Sequence, residues 1–578
     1  MTDPKDILRT HWGFEHFRES QLEIIGSVLS GQNTLALLPT GGGKSICFQI
    51  PGLILEGVTL VVTPLIALMI DQVNELKIKN IKAVAIHGGL SPREIDILLD
   101  NCIYGDIKFL YVSPERLASE LFLARVEKML ISLLVIDEAH CISQWGHDFR
   151  PYYLKIKDFK ELFPIAKFIA LTASATEEVK KDIINQLNME DPKVFQNSYL
   201  RSNLSFVVIK GENKIQKVFE ILNKVVGSSI IYVRSRKRAE RVAKDLNQQG
   251  IFAQFYHAGL SHNERNQRQV EWTHSKSRVM VATNAFGMGI NKPDVRTVLH
   301  LDLPQTLEAY YQEAGRAGRD GLKAYAILFF HEQDIIETKK RIFQAAVDIK
   351  FIKRVYQALS NKYKLAIGSG AGLSFDFTYF DFIDDFDLPT YPTIFALKKL
   401  ESAGLIQLTE NIYQKSKISM LMRRDILYQF QVAHTKLDPL IKVLFRIYGG
   451  ELYTSYINID EAEIARVSKI NLKKVKDQLY LLHEYQVIDY RKMSFKPQIE
   501  FLKGRLDLAS LPIRSVDLKK IKRQTFDKFD HVVRYVKTDC VCRAKILVGY
   551  FGEHMELGCG LCDFCLSKIK SNQRVNSF

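Results

Sequence analysis

The stretch Thr34–Ser45, TLALLPTGGGKS, contains the strongest fold signal in this 578-residue chain. An apolar run leads into a glycine-rich turn, and the apolar segment Ile46–Leu55 follows directly. Glycines allow backbone N–H groups to face an anion, and the N-terminus of a following helix adds positive potential. This order predicts a strand, a phosphate-binding loop and a helix within an α/β domain.

The loop offers the residue types that a nucleoside triphosphate such as ATP requires. The residues expected to hold the phosphates are Thr40, Gly41, Gly42, Gly43, Lys44 and Ser45. Lys44 would reach the β- and γ-phosphates, and the Ser45 hydroxyl would ligate Mg²⁺. Position 38 is Leu, so the full G-x-x-x-x-G-K-S pattern lacks its first glycine. A chance glycine-rich turn is the alternative for this loop taken alone.

A carboxylate pair, Asp137-Glu138, follows the apolar run Leu133–Ile136. Ligands of open α/β sheets bind at the carboxyl ends of strands, so we expect Asp137 to hold Mg²⁺, directly or through water. Glu138 would orient and activate the attacking water. An isolated pair of this kind is more often a solvated surface feature, and the presence of Lys44 argues against that alternative.

Short apolar runs alternate with longer amphipathic segments over about the first 330 residues, a pattern typical of repeated strand and helix units. We therefore expect two α/β domains with mostly parallel sheets and a boundary near Ser198–Asn203. The predicted strands are Thr34–Leu38, Leu60–Thr63, Phe109–Val112, Leu133–Asp137 and Phe168–Leu171 in the first domain, then Leu204–Lys210, Ser229–Val233, Val279–Ala282, Thr297–Leu301 and Ala326–Phe330 in the second.

The second domain contains an arginine pair within the segment Gln312–Gly321, QEAGRAGRDG. Arg316 and Arg319 are three residues apart and would lie on one face of a helical turn, with small neighbours that allow close approach. Arginine supplied across a cleft would make phosphate hydrolysis depend on domain closure. A salt-bridged pair on a surface helix is the alternative.

Together with further motifs, these segments make the chain resemble the RecQ family of DNA helicases, within helicase superfamily two. The resemblance covers about residues 7–335 and resumes over about 519–566. Its other parts are Trp12-Gly13-Phe14, Phe17-Arg18 with Gln21, Thr63-Pro64-Leu65, Ser113–Arg116, Leu171–Thr176, Tyr256–Gly259, Ala282-Thr283 and Gly287–Asn291. The implied architecture is two RecA-like parallel-sheet motor domains, winged-helix-like modules and a C-terminal helical zinc-binding subdomain.

The resemblance also implies roles for individual residues. Gln21 would read the adenine edge, helped by an aromatic residue or by Arg18 from the stretch Trp12–Arg18, and Arg319 would be the arginine finger. Arg316 would make a second phosphate or interdomain contact, and Gln312 belongs to the same catalytic set.

The segment Cys141–Pro151 resembles the aromatic-rich loop that senses single-stranded DNA in the family. Trp145 and Phe149 would stack on bases, and Arg150 would contact the negative charge of the DNA. A buried aromatic turn is the alternative.

After about residue 335 the pattern changes to helices with brief strand-like pieces. Phe382–Leu408 and Asp460–Tyr490 each predict a short helix, a turn, a longer helix and a strand, which fits a winged-helix module. A generic helical domain is the alternative. The expected division of the chain is 1–200, 201–335, 336–430, 431–510, 511–570 and a tail 571–578.

Near the end of the chain, cysteines show the spacing C-x16-C-x2-C-x2-C, formed by Cys542, Cys559, Cys562 and Cys565. Four thiolates close a tetrahedral Zn²⁺ site and leave no open position, which favours structural zinc. Cys540 remains an alternative to Cys542, although Cys542-Arg543 with Tyr550–Glu553 resembles the family's zinc subdomain. In the familiar order that subdomain directly follows the second motor domain, whereas here about 180 residues intervene.

Charge and hydropathy indicate partners and location. The net charge is +15, and residues 464–537 hold 18 basic against 8 acidic residues, which would attract a phosphate backbone unless they form a solvated face. No apolar run approaches the ~20 residues of a membrane span, and the N-terminus lacks a signal-peptide core. We expect a soluble, cytoplasmic protein.

The resemblance implies a 3′ to 5′ DNA helicase that uses ATP, Mg²⁺ and Zn²⁺ in repair and recombination, associated with the nucleoid. Its partners would be single-stranded DNA, tailed or forked duplex DNA and a single-strand-binding protein. A translocase or RNA helicase that does not unwind DNA, and a DNA-binding scaffold with an idle motor, are the alternatives.

Overall fold

The computed structural model describes all residues except 1–2, 88–89, 91, 144–148, 276, 288–291, 346, 410–415, 454–455, 492–497 and 576–578. The first α/β domain comprises α1 (Pro4–Trp12), α2 (Gln21–Leu29), β1 (Thr34–Leu37), α3 (Ile46–Ile54), β2 (Val58–Val62), α4 (Ile66–Ile78), β3 (Ala83–Ile86), α5 (Pro92–Tyr104), β4 (Phe109–Val112), α6 (Glu120–Val126), β5 (Ile131–Ile136), α7 (Ile156–Glu161), β6 (Lys167–Thr172), α8 (Glu177–Gln186) and β7 (Lys193–Gln196). Short 3₁₀ turns lie at Pro114–Ala118, Ala139–Ile142 and Pro151–Lys155.

The strands of this domain form a parallel sheet in the order β3-β4-β2-β5-β6-β1-β7. Strands β1, β2 and β4 are buried along their whole length, because helices cover both faces of such a sheet, and this explains their continuous apolar runs. The predicted strands are present with small shifts at their ends, whereas β3 and β7 were not predicted. Strands β1 and β5 flank β6, so the phosphate loop and the Asp137 segment leave the same edge of the sheet.

The second α/β domain follows the same plan. Its elements are β8 (Leu204–Lys210), α9 (Lys214–Lys224), β9 (Ser228–Tyr232), α10 (Arg236–Gln248), β10 (Ala253–Tyr256), α11 (His262–Thr273), β11 (Val279–Ala282), β12 (Val295–His300), α12 (Leu307–Ala314), β13 (Ala324–Phe330) and α13 (Glu332–Ala345). The sheet is parallel with the order β10-β11-β9-β12-β13-β8. The two parallel α/β domains predicted from the sequence are confirmed.

The C-terminal region contains α14 (Ile349–Lys362), β14 (Ser374–Asp376), α15 (Tyr379–Asp385), α16 (Thr390–Ser402), β15 (Ile406–Thr409), β16 (Ser416–Met420), α17 (Arg424–Ala433), α18 (Asp438–Tyr448), β17 (Ile457–Ile459), α19 (Glu461–Ser468), α20 (Leu472–Glu484), β18 (Ile488–Arg491), β19 (Gln498–Phe501), α21 (Ser515–Lys537), α22 (Arg543–Tyr550) and α23 (Asp563–Val575), with 3₁₀ turns at Gly449–Tyr453 and Leu508–Ser510. Both predicted helix-turn-helix-strand outlines are present, as α15-α16-β15 and α19-α20-β18. None of the described helices is long and apolar enough to cross a membrane.

Strand pairing shows that one winged-helix module is nested inside the other. Strand β19 pairs antiparallel with β14 and β15, whereas β16 pairs with β17 and β18. Each sheet covers a separate hydrophobic core. An inner module, residues 416–491, therefore interrupts an outer module that resumes at β19. This differs from the expected division at 336–430 and 431–510, because strand partners distant in sequence leave no local signal.

The helical zinc region packs against the second α/β domain despite its distance along the chain. Side chains of α21 and the cysteine segment share one hydrophobic core with strands β8 and β13. The Tyr310 and Tyr535 rings lie 5.4 Å apart, and Lys339 Nζ is 2.9 Å from Asp530 Oδ1. The insertion between residues 345 and 515 therefore leaves this contact in place, and α23 extends to Val575, beyond the expected end at 570.

Candidate nucleotide site and zinc centre

The phosphate loop depends on its glycines for conformation and for space. Gly41 and Gly43 have φ angles of 84° and 78°, which favour glycine because a Cβ is strained there. A Cβ at Gly42 would lie 2.9 Å from the Pro39 carbonyl oxygen, and one at Gly43 would collide with Gln21 Nε2. Helix α3 begins directly after the loop, so its N-terminus faces the same space as the loop amides.

Lys44 meets the carboxylate pair at the end of β5. Its Nζ lies 3.5 Å from Glu138 Oε1, and Gln72 Nε2 donates to Asp137 Oδ2 at 3.5 Å. Burial raises the pKa of Asp137, the neighbouring Glu138 raises it further, and Lys44 opposes the rise. Two buried carboxylates beside one ammonium group form a site that a divalent cation would complete, so the residues present fit Mg²⁺.

Glu138 has a left-handed backbone with φ of 49°, which costs a non-glycine residue about 1–3 kcal/mol and is most often found at functional sites. His140 Nδ1 lies 3.3 Å from Glu138 Oε2 and 2.8 Å from Thr172 Oγ1. Thr172 ends β6 and lies in the motif Leu171–Thr176. His140 follows the Asp137-Glu138 pair closely in the sequence, where no role is predicted for it, and the structure gives it a contact with Glu138, the expected base.

Gln21 and Arg18 both contact the phosphate loop. Gln21 Nε2 donates to the Gly43 carbonyl at 3.1 Å, the Arg18 amide donates to Gln21 Oε1 at 2.8 Å, and the Arg18 guanidinium donates to the Gly41 carbonyl. These bonds bring both residues to the nucleotide side of the domain. Their contact with adenine stays a prediction.

The arginine pair lies against the phosphate loop from the second domain. A Cβ at Gly41 would come within 3.2 Å of Arg319 Cγ, so the Arg319 stem covers the loop. Burial, Arg316 and Arg201 lower the pKa of Arg319 to about 9. Positive charge from two arginines that converges on the loop favours an anion there, and the donor set fits the phosphates of ATP.

The backbone around these arginines differs from the predicted helical turn. Helix α12, which carries Gln312, ends at Ala314, and the Arg316 amide donates to the Glu313 carbonyl at 3.2 Å. Gly318 then takes a left-handed φ of 64°. Residues 315–319 are therefore a turn that follows the helix, and we call them the arginine turn.

The aromatic-rich loop is described in part. Gln144–Asp148, and with them Trp145, lie outside the described residues, and Phe149 is partly exposed. Arg150 Nη1 donates to the Pro64 carbonyl at 2.7 Å, so this side chain ties the loop to the Thr63-Pro64-Leu65 segment. The DNA contacts of Phe149 and Arg150 stay predictions.

The cysteine cluster is assembled as the spacing predicts. Ligand atoms of Cys542, Cys559, Cys562 and Cys565 all lie within 4.8 Å of one another, while Cys540 is exposed and does not belong to the cluster found among the described residues. Cys559 and Cys562 amides each donate to a cluster sulfur at 3.3 Å. Four sulfur donors fit Zn²⁺ in a closed, structural site, and Cys542 rather than Cys540 completes the set.

Models of protein families match successive parts of the chain. The DEAD/DEAH box helicase model covers residues 18–182, and the helicase conserved C-terminal domain covers 213–321. The RecQ helicase winged-helix domain of Bacteroidota covers 418–492, which is the inner module, and the RecQ zinc-binding model covers 507–566.

Individual proteins agree with these models. The ATP-dependent DNA helicase RecQ of Pasteurella multocida is 43% identical over 330 residues, which span 57% of this chain and 52% of that relative. The chain thus spans about half the length of this curated relative. The probable ATP-dependent DNA helicase RecS of Bacillus subtilis is 42% identical over 349 residues, which span 60% of this chain and 70% of the relative.

Among solved structures, the DUF1998 helicase MrfA bound to DNA is similar in fold, with a TM-score of 0.50 at 17% identity over 70% of this chain and 61% of that one. The relatives, the family models and the assembled phosphate loop, arginine turn and cysteine cluster agree, and we conclude that the chain belongs to the RecQ family of helicases.

Proposed function

We propose that the chain is an ATP-dependent DNA helicase that moves 3′ to 5′ along single-stranded DNA and separates duplexes. The observation that carries the proposal is the contact between the phosphate loop of one α/β domain and the arginine turn of the other. Hydrolysis at such a site requires both domains, so it is coupled to their relative motion.

The side chains divide the work of hydrolysis. Lys44 would neutralise the β- and γ-phosphates, and Ser45 with Asp137 would hold Mg²⁺, which would supply positive charge to the phosphate oxygens. Glu138 accepts the proton of the attacking water. His140 lies between Glu138 and Thr172, so it holds the base in place.

Arg316 and Arg319 stabilise the charge that develops on the γ-phosphate, with Arg319 as the arginine finger. Gln312, on the helix that leads into the arginine turn, would support their placement. Closure brings the arginines in, and reopening after hydrolysis changes the grip on the strand, which moves the motor in one direction.

DNA is the proposed track because the relatives are named as DNA helicases and because the C-terminal part is basic. Residues 464–537 carry 18 basic against 8 acidic residues, enough to hold a duplex by counterion release. Trp145, Phe149 and Arg150 would contact the single strand. Tailed or forked DNA, a single-strand-binding protein and a nucleoid-associated role in repair and recombination complete the proposal.

A labelled duplex with either a 3′ or a 5′ single-stranded tail tests the proposal, in the presence of ATP and Mg²⁺ and with Glu138→Gln as the control. We expect unwinding from the 3′ tail alone and none in the control. Unwinding from the 5′ tail would refute the direction. DNA-stimulated ATPase without strand separation would indicate a translocase, and stronger stimulation by RNA would refute the choice of DNA.

A further inference from the structure

The segment that joins the two α/β domains, Ser198–Asn203, carries an arginine that bridges the nucleotide cleft. Arg201 Nη1 donates to the Thr40 carbonyl at 3.1 Å and to the Gly315 carbonyl at 3.3 Å. Its Nη2 donates to the Gly318 carbonyl at 2.9 Å and to the Ala317 carbonyl at 3.2 Å. One guanidinium group therefore bonds the backbone of the phosphate loop and that of the arginine turn.

This geometry requires arginine. A guanidinium presents five donors in a rigid plane, whereas an ammonium group is a compact point charge on a flexible stem. The arginine turn also lies very close to the loop, because a Cβ at Gly315 would be 3.2 Å from Thr40 Cβ. Burial lowers the pKa of Arg201, which reflects the cost of holding a cation in this closed space.

Residues 507–566, which the RecQ zinc-binding model covers and which we call the zinc module, hold the backbone that carries Arg201. The Tyr199 amide donates to Glu553 Oε2 at 2.8 Å, and the Phe551 ring stacks on the Tyr199 ring with centroids 4.5 Å apart. Tyr199 also donates its hydroxyl to the Ala175 carbonyl of the first domain at 3.0 Å, and Tyr311 of the second domain donates to the Tyr199 carbonyl at 2.7 Å. The residue two positions before Arg201 is thus fixed from three sides.

We propose that Arg201 is a positioning residue for ATP hydrolysis, which sets the spacing between the phosphate loop and the arginine turn while the zinc module fixes the segment that carries it. This inference rests on the proposed function. In the structure Arg201 bonds backbone carbonyls of both partners, so it would act through the placement of Arg316 and Arg319. Its loss should therefore lower kcat and leave the KM for ATP almost unchanged.

The test is steady-state ATPase with single-stranded DNA for the wild type, Arg201→Gln, Arg201→Lys and a matched control, Arg278→Gln. Arg278 also caps backbone carbonyls, with Nη2 donating to Val225 at 2.8 Å and Nε to Gly227 at 3.3 Å, but it does so within the second domain alone. Thermal unfolding, followed by circular dichroism, gives the folded fraction of each protein.

We expect Arg201→Gln to lower kcat per folded molecule by roughly 10- to 100-fold, since small misplacements of catalytic groups have effects of this size. The KM for ATP should stay within about threefold of the wild-type value, because the variant keeps the contacts that bind ATP equally in the ground state and in the transition state. Arg201→Lys should recover part of kcat, and Arg278→Gln should keep wild-type kcat even if its unfolding temperature falls.

A wild-type kcat in Arg201→Gln, or equal losses in Arg201→Gln and Arg278→Gln, would overturn the inference. If Arg201→Gln does not fold, Arg201→Lys gives the deciding comparison, and a kcat equal to wild type would again overturn it. A wild-type protein without DNA-stimulated ATPase would instead refute the proposed function, so the two failures are distinct.

Discussion

Replacing Gly315 with alanine would separate the phosphate loop from the arginine turn by a known steric change. A Cβ there would lie 3.2 Å from Thr40 Cβ and 3.0 Å from the Tyr311 carbonyl oxygen. Because carbon atoms prefer about 3.5–4.0 Å, the turn must retreat by roughly 0.3–0.8 Å. Gly315 has an ordinary φ of −64°, so alanine introduces no backbone strain and the effect is one of contact.

The size of the effect follows from overpacking. Extra methyl groups in packed sites cost about 1–3 kcal/mol, which would shift a closed to open equilibrium by about 5- to 150-fold. Opening of the cleft relieves the contact with Thr40, whereas the contact with the Tyr311 carbonyl oxygen stays inside the second domain and is relieved by a small shift of the turn. We expect Gly315→Ala to lower DNA-stimulated kcat at least about fivefold in a steady-state ATPase assay, with an unfolding temperature within about 2 °C of wild type.

Gly26→Ala is the matched control for this variant. Outside the backbone of its own helix, a Cβ at Gly26 meets no atom within 4 Å, and Gly26 lies inside α2 of the same domain as Thr40. Alanine in a helix is favoured over glycine by about 0.5–1 kcal/mol, so this variant should keep wild-type kcat with equal or slightly higher stability. A kcat for Gly315→Ala within twofold of both proteins would refute the steric reasoning.

Further predictions concern the base, the zinc cluster and the nested module. Glu138→Gln should lower kcat by roughly 10²- to 10⁴-fold while ATP still binds, and ATPase near wild type in that variant would contradict the role of Glu138. Cys559→Ser should lower the zinc content and the unfolding temperature and leave the KM for ATP almost unchanged. Normal zinc content with normal stability would remove Cys559 from the ligand set. Replacing residues 410–497 with a short turn should leave DNA-stimulated ATPase within about threefold but weaken duplex binding, measured by fluorescence anisotropy at several salt concentrations. Unchanged duplex affinity would argue against DNA binding by that module.

Local sequence patterns were enough to predict most of the strands and the loops that follow them. The phosphate loop and the cysteine cluster each lie within a short stretch of chain, where spacing alone determines which side chains can meet. Strands β3, β7 and β10 were missed because none of them is buried along its whole length, unlike the equally short β1, β4 and β11. The short strand β7 is also largely exposed, so it lacks the apolar run of its buried neighbours.

Long-range features left no such pattern. The partners of β16 and β19 depend on pairing across many residues, so the nesting of the two modules could not be deduced from helix and strand outlines. Arg201 was missed because it bonds backbone carbonyls, which every residue type provides. The docking of the zinc module on the second domain likewise depends on a surface formed by distant segments.

The inner module enters and leaves its host at one place. Strand β15 of the outer module ends at Thr409, and strand β19 begins at Gln498. These two residues are direct partners in adjacent antiparallel strands. A two-residue turn that joined β15 directly to β19 would need the same two strand ends. The inner module is therefore an insertion attached at a single point. It can be gained, exchanged or lost during evolution while the two α/β domains and the zinc-binding region keep their own connections.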